Sequence, residues 1–400
     1  MLNLISVAGA TIVVVALLVH VQVLYFLAQI LASLPAQCAT DRGRGGRRPS
    51  ICVIIPAHNE SVLIAKTVAT LKSQLTASDR VVVVADNCSD DTASLAASAG
   101  AEVVERHDPQ RIGKGYALDG GIRFVQQTRH PEVVVFVDAD CELSPGSIDE
   151  LAQLSFTHQR PVQATNLMES ECSAGRTARI AQFAWRVKNY VRPLGASRLG
   201  LPCQLTGTGM ALPWALACSV DLSTGHIAED AKLGVDLAIG GYEPRFCPEA
   251  TVTSRFPLST QGIRVQRTRW EHGSLTMIGE CVPRLLWNAY TKRRVSLLAM
   301  ALDLSILPLG LLVLLVAALA GGATLLAFLG FPAWPVIVAG SAIATFTFAV
   351  GLAWYRHGRT IVSMWDLLFA PVYALSKIPT FWRFITKRQA VWIRAERDPH

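Results

Sequence analysis

Four hundred residues, 51% of them hydrophobic, suffice for one large domain or two small ones plus membrane segments. Lys and Arg outnumber Asp and Glu by 37 to 30, and the resulting net charge of +7 gathers largely beside the apolar stretches. Attraction to anionic lipid explains that placement; with no zinc-finger spacing or RNA-binding signature beside it, nucleic acid is excluded as a partner.

Residues 1–34 form the first unit. From residue 4 to residue 34 the chain carries no Asp, Glu, Lys or Arg, which is long enough for a helix crossing roughly 30 Å of hydrocarbon. The apolar run is too long for a signal peptide and lacks a basic leader. Arg42, Arg44, Arg47 and Arg48 follow within a linker at 35–49. They read as a cytoplasmic flank, which puts the N-terminus outside and the next domain in the cytoplasm; a basic linker with no topological role fits them too.

Residues 50–285 alternate short β-branched runs with helical spacing, the pattern of an α/β domain with a mainly parallel sheet. Strands are expected at 51–55, stopped by Pro56, at 80–85 ending on Asp86, at 102–105, and at 133–137 running into Asp138. Helices fit 60–74, 91–99 and the stretch from Tyr116. Ligands of such sheets bind just past the strand ends, where this chain places Asn59 and Glu60, Asp86 and Asn87, and Asp138 and Asp140. No G-x-G-x-x-G follows the first strand, so a dinucleotide fold is excluded. The nine cysteines form no C-x-x-C pair and are expected to be reduced.

Asp138-Ala139-Asp140 brings two carboxylates out at the end of a buried strand, suited to one hard cation such as Mg²⁺ or Mn²⁺ bridging a diphosphate. Asp86 offers a carboxylate to a pyrimidine imide, while Asp90 and Asp91 fit helix capping equally well. Gly113-Lys114-Gly115 is a close-approach loop with a cation, without the spacing of a P-loop. Glu229 and Asp230 precede an amphipathic helix and fit either a general base or simple N-terminal helix charges. On a helix Gln266, Arg269 and Trp270 share a face, offering an amide, a guanidinium for phosphate and an indole for a sugar ring.

Residues 286–400 read as a membrane region. Crossings are expected at about 297–319 and 324–355, joined by a Gly-Gly turn and flanked by Lys292 to Arg294 and by Arg356 to Arg359. The last apolar run, 361–385, contains Asp366, Pro371, Lys377 and Pro379 between basic flanks. It reads as an interfacial or re-entrant helix.

In this order the motifs resemble the family-2 inverting glycosyltransferases, the group of cellulose, chitin and hyaluronan synthases. The resemblance spans roughly residues 51–280: Pro56 to Glu60, the Asp86 cluster, Gly113 to Gly115, Asp138 to Asp140, Gly207-Thr208-Gly209, Glu229-Asp230, and Q-x-x-R-W at Gln266 to Trp270. It implies a GT-A-type nucleotide-sugar-binding domain flanked by transmembrane helices. It implies further that Asp86 contacts the nucleobase, that Lys114, Asp138, Asp140 and Arg269 serve the donor, and that Asp140 binds the metal. Asp230 would be the catalytic base, with Gly207, Thr208, Glu229, Gln266 and Trp270 on the acceptor side. Two departures stand out: Ala228 replaces the usual Thr before Glu229-Asp230, and Thr206 to Gly209 replaces the Cys-Gly motif of cellulose synthases.

The expected activity is therefore transfer from a nucleotide sugar, a UDP-sugar by preference, at the cytoplasmic face of an inner or plasma membrane. The acceptor is a growing glycan, with an export partner supplying further crossings. The alternative is a single addition to a membrane lipid or lipid-linked acceptor.

Overall fold

The computed structural model describes residues 2–35, 47–170, 175–256, 260–330 and 332–387. Arg42, Arg44, Cys38, Cys172 and the basic residues after 387 lie outside them. Eight strands form one sheet: β1 Ile51–Ala57, β2 Arg80–Asp86, β3 Glu102–Arg106, β4 Val133–Phe136, β5 Glu142–Leu143, β6 Val162–Glu169, β7 Met210–Pro213 and β8 Arg245–Arg255. Their order is β3-β2-β1-β4-β7-β6-β8-β5. The first four run parallel, whereas β7 is antiparallel to β4 and β6, β8 is parallel to β6, and β5 is antiparallel to β8.

The alternation of strand side chains divides the core. Ile51, Val53 and Ile55 pack with Ile64, Val68, Ala96, Ile148 and Leu151 on one face. Cys52 and Ile54 pack with Leu118, Ile122, Leu233 and Leu237 on the other. Because helices cover both faces, β1 and β2 read as continuous apolar runs.

The four strands expected in the first half are present. Pro56 does not stop β1 but lies in it, opposite Val84 of β2. The β4 ladder ends at Ile54 and Phe136, so the missing proline N–H costs no bond to β4.

Three helices among the described residues are long and apolar enough to cross a membrane: Val13–Ser33, Leu309–Phe328 and Trp334–Gly358. The stretch at 297–319 is broken into Val295–Ser305 and Leu309–Phe328, because Pro308 cannot continue the first helix. Gly321 and Gly322 lie inside the second helix; the chain turns instead at Gly330, whose φ of +88° suits glycine, ahead of Pro332. The 361–385 stretch is three short helices, Met364–Leu368, Ala370–Leu375 and Ile378–Thr386. The longest has nine residues and reaches only about 14 Å, half of the hydrocarbon thickness. Met364, Trp365, Leu368, Trp382 and Ile385 are exposed on them.

The N-terminal helix packs through Val23, Phe26 and Ile30 against Ile180, Phe183, Val187 and Val191 and against the C-terminal apolar helices. Arg48 pairs with Asp79 at 2.7 Å and Asp149 at 2.8 Å, and Arg47 with Glu132. These two arginines belong to the surface of the α/β domain as well as to its basic flank.

Candidate active site

Asp138 follows the last residues of β4, where Val137 N–H donates to the Ile54 carbonyl at 3.2 Å. Its own N–H donates to Thr208 Oγ1 at 3.1 Å. Its carboxylate pairs with Lys114, whose ammonium also donates to the Gly207 carbonyl at 2.7 Å. Lys114 opens the helix Lys114–Gln126 directly behind Gly113, which has a φ of +143°. Burial opposes the charge of Lys114, but Asp138 and Glu229 outweigh it and hold the ammonium above the ordinary lysine range. Burial likewise pushes the Asp138 carboxyl up against the pull of Lys114.

Gly207 is the hinge between the two sides of the site. With φ at +87°, a Cβ added there would lie 2.9 Å from Asp230 Oδ2 and 3.2 Å from Lys114 Nζ. The positive φ and this close approach suit glycine, and the loop runs between the Asp230 carboxylate and the Lys114 ammonium. Asp230 and Glu229 occupy the first turn of the helix Glu229–Ile239, and Asp230 Oδ1 accepts from the Ala231 N–H at 2.7 Å. Burial, then the neighbouring Asp230, pushes the Glu229 carboxyl up to about 7. A cavity of about 460 Å³ opens beside Lys114, Gly207, Glu229 and Asp230 and runs to Asp236 and Tyr242.

Ligand atoms of Asp138, Asp140 and Cys141 lie within 4.8 Å of one another. Two carboxylates so placed fit a hard divalent cation, while a thiol is the wrong donor for one. The residues present therefore suit Mg²⁺ or Mn²⁺ through oxygen.

Several candidate residues stand where their chemistry needs support. Asp86 is 6% exposed and accepts from Arg106 at 2.5 Å and from Asn87 at 3.2 Å. Arg106 is opposite Asp86 in the β2–β3 register, and its guanidinium lies 5.6 Å from the Tyr116 ring centre. Arg106 was missed, because the neighbouring strand was expected to end at Glu105 and only the sheet register sets Arg106 beside Asp86. Asp90 accepts from Thr92 N–H at 3.1 Å and serves the loop and helix start. Thr208, expected to face the acceptor, is 4% exposed with its hydroxyl engaged by Asp138 N–H. It braces the strand end.

Gln266, Arg269 and Trp270 lie on the long helix Thr260–Lys292. One turn beyond Trp270, a Cβ on Gly273 would meet Ala228 Cβ at 3.5 Å, so this helix lies against the approach to Glu229 and Asp230. Trp270 packs on Trp185 with ring centres 4.5 Å apart, and Trp185 Nε1 donates to the Asn166 carbonyl at 3.0 Å. Gln266 Oε1 is buried without a partner among the described residues, where Arg269 also has no ion pair. The helix is held by the short C-terminal helices: Arg267 donates to Tyr373 Oη at 3.0 Å, His272 meets the Thr380 carbonyl at 3.0 Å, and Glu271 pairs with Lys377. Trp185, Gln163 and Asn166 were missed; the last two lie on β6, a strand whose polar residues conceal it.

Residues 49–273 match a family model described as glycosyltransferase like family 2. The chain belongs to this family. Its domain has a GT-A-like fold. Among curated relatives, the probable glycosyltransferase YdaM of Bacillus subtilis (strain 168) is 26% identical over 248 residues, covering 56% of this chain and 55% of that protein. The 4,4'-diaponeurosporenoate glycosyltransferase of Staphylococcus haemolyticus (strain JCSC1435) is 33% identical over 127 residues, 30% of this chain and 32% of that one. The chain thus spans about half, or less, of the length of these relatives.

Across nearly its whole length this chain superposes on the mannosyltransferase PcManGT of Pyrobaculum calidifontis, solved with GDP-Man and Mn²⁺. The TM-score is 0.54 at 19% identity, covering 96% of this chain and 99% of that one. At that identity the likeness shows the fold.

Proposed function

We propose that the chain is an inverting glycosyltransferase, moving one sugar from a nucleoside-diphosphate sugar, a UDP-sugar by expectation, to an acceptor at the cytoplasmic face of an inner or plasma membrane. The observation that carries this reading is the closeness of Asp230 to Gly207 and Lys114 beside the Asp138 strand end. A base on one side and a phosphate-binding edge on the other is the arrangement a single displacement needs. Asp230 accepts the proton of the attacking hydroxyl. Lys114 and Arg269 supply positive charge for the leaving diphosphate, and Asp86, oriented by Arg106, faces the base. Asp138 and Asp140 would hold Mg²⁺ or Mn²⁺, Asp140 directly, and the cation supplies charge stabilisation for the departing diphosphate. Trp270 with Trp185 forms an aromatic wall for the acceptor, with Gln266 and Glu229 as its polar neighbours.

The acceptor in this reading is a growing glycan, by the Q-x-x-R-W helix. A second reading, single addition to a lipid or lipid-linked acceptor, is favoured by the three candidate crossings and by the exposed Trp365 and Trp382, since aromatic residues of this kind sit at membrane interfaces. Membranes containing the full chain, given a panel of labelled nucleotide sugars with and without EDTA, test both. One donor should give product that chelation stops and Mn²⁺ or Mg²⁺ restores. A ladder of sizes supports the glycan reading and a single lipid-soluble product the other. No product from any donor, or product indifferent to chelation, sinks the reaction or the metal.

A further inference from the structure

Three regions far apart in sequence, at Gln29, at Arg192 to Gln204 and at Asp303, meet at one buried carboxylate. Asp303, in the helix Val295–Ser305, is 9% exposed. Its Oδ1 accepts from Gln29 Nε2 of the N-terminal apolar helix at 2.7 Å and from Arg192 Nη2 at 2.7 Å. Its Oδ2 accepts from Gln204 Nε2 at 2.5 Å. Arg192 also donates through Nε to Gln29 Oε1 at 3.2 Å. The helices approach so closely here that a Cβ on Gly195 would fall 1.9 Å from the Gln29 carbonyl oxygen.

Gln204 opens the 204–209 loop, which passes beside Asp230 and Lys114 at Gly207. That loop is pinned beyond Gln204 as well: Thr206 N–H donates to Gln163 Oε1 at 2.9 Å, and the Thr208 carbonyl accepts from Gln163 Nε2 at 2.9 Å. Its Gly207 carbonyl accepts from Lys114. Two leucine-class neighbours would have filled the space of Asp303 and Arg192 at less desolvation cost. A fully bonded polar junction instead fixes a single arrangement, because a half-satisfied one is expensive.

We propose that Asp303 is a positioning residue for the 204–209 loop: by accepting from Gln204 it anchors this loop to the membrane-proximal helices and so sets where the acceptor stands relative to Asp230. The inference rests on the reaction proposed above for its catalytic consequence, but not for the anchoring itself. Displacement of the loop by a fraction of an ångström separates the attacking hydroxyl from its base without removing any group that touches the donor.

Two nearly isosteric substitutions in the full chain separate the loop link from the rest of the junction. Gln204→Met removes only the bond to Asp303 Oδ2, and Gln29→Met removes the bonds on the membrane-helix side. In detergent-solubilised protein, hydrogen exchange of peptides spanning 204–210 should be about tenfold faster in Gln204→Met than in wild type and within about twofold of wild type in Gln29→Met. In membranes, using the nucleotide sugar that gives wild-type product, Gln204→Met should lower transfer about tenfold, with donor KM and acceptor-free nucleotide release unchanged. Unaltered exchange in Gln204→Met, equal acceleration in both variants, or transfer and donor binding falling together overturns the proposal, as does faster exchange with normal transfer. If wild type transfers no sugar, the reaction reading fails while the exchange comparison still decides the anchoring.

Discussion

The two halves of the sheet solve different problems. The β3-β2-β1-β4 half is parallel, its β2, β1 and β4 strands are buried on both faces, and it delivers Asp86 and Asp138 at strand ends from local sequence. The β7-β6-β8-β5 half is mixed, and its polar side chains, Gln163 and Asn166, are spent on the 206–208 loop. The first half sets acidic side chains at the ends of a parallel ladder. The second positions the 206–208 loop through side chains distant along the chain.

The largest effect is expected at Asp230, which lies beside Gly207 of the loop that the second half positions. Asp230→Asn keeps the shape of the helix start but removes the proposed base. Transfer should fall by about a hundredfold to ten-thousandfold, while nucleotide-sugar affinity, read by titration, stays within a few-fold. Retained turnover would return Asp230 to the role of a helix N-terminal charge.

A second test reads the electrostatics of the same turn through stability. Glu229 titrates near 7 in the folded chain against an ordinary 4.5, so between those values the folded state holds a proton that the unfolded state has released. Its contribution is therefore fully present below about 4.5 and is lost as pH rises to about 7, on the order of a few kcal/mol. Thermal unfolding followed across that range should show stability declining with pH, and Glu229→Gln should flatten the decline. An identical pH profile in the variant would show that burial does not hold the proton on Glu229.

The aromatic wall carries the smallest effect. Trp270→Ala should raise the acceptor KM about five- to tenfold, near 1 kcal/mol, with donor KM unchanged, and Trp185→Ala should produce a similar but weaker change. Equal losses for donor and acceptor would place the pair in the packing of the 260–292 helix instead.

Much of the first half of the sheet was legible because its signals are local. A run such as Val81 to Val84 is continuous and apolar since both faces are covered, and the polar residue that ends it marks the ligand edge. The family motifs extended that reading to Glu229-Asp230 and Gln266 to Trp270. The other half was not legible: β6 carries Gln163, Thr165 and Asn166 at buried positions, and a polar strand announces itself only through the partners that satisfy it. Hydropathy likewise placed apolar segments but not their breaks, because Pro308 outweighed the continuity of 297–319 whereas Gly321 and Gly322 did not interrupt a helix of leucine and alanine.

Sequence by itself thus determined the α/β class, the order of acidic clusters along the chain and the three long apolar helices, since strand propensity, spacing and hydrophobic length are properties of neighbouring residues. Tertiary structure alone decided that Arg106 answers Asp86, that Thr208 braces Asp138 and that Asp303 gathers Gln29, Arg192 and Gln204. Each of these pairs a buried polar group with one distant along the chain. Such partners are chosen by the cost of leaving a buried charge or hydrogen-bonding group unsatisfied, a cost that exists only once the chain has folded around it.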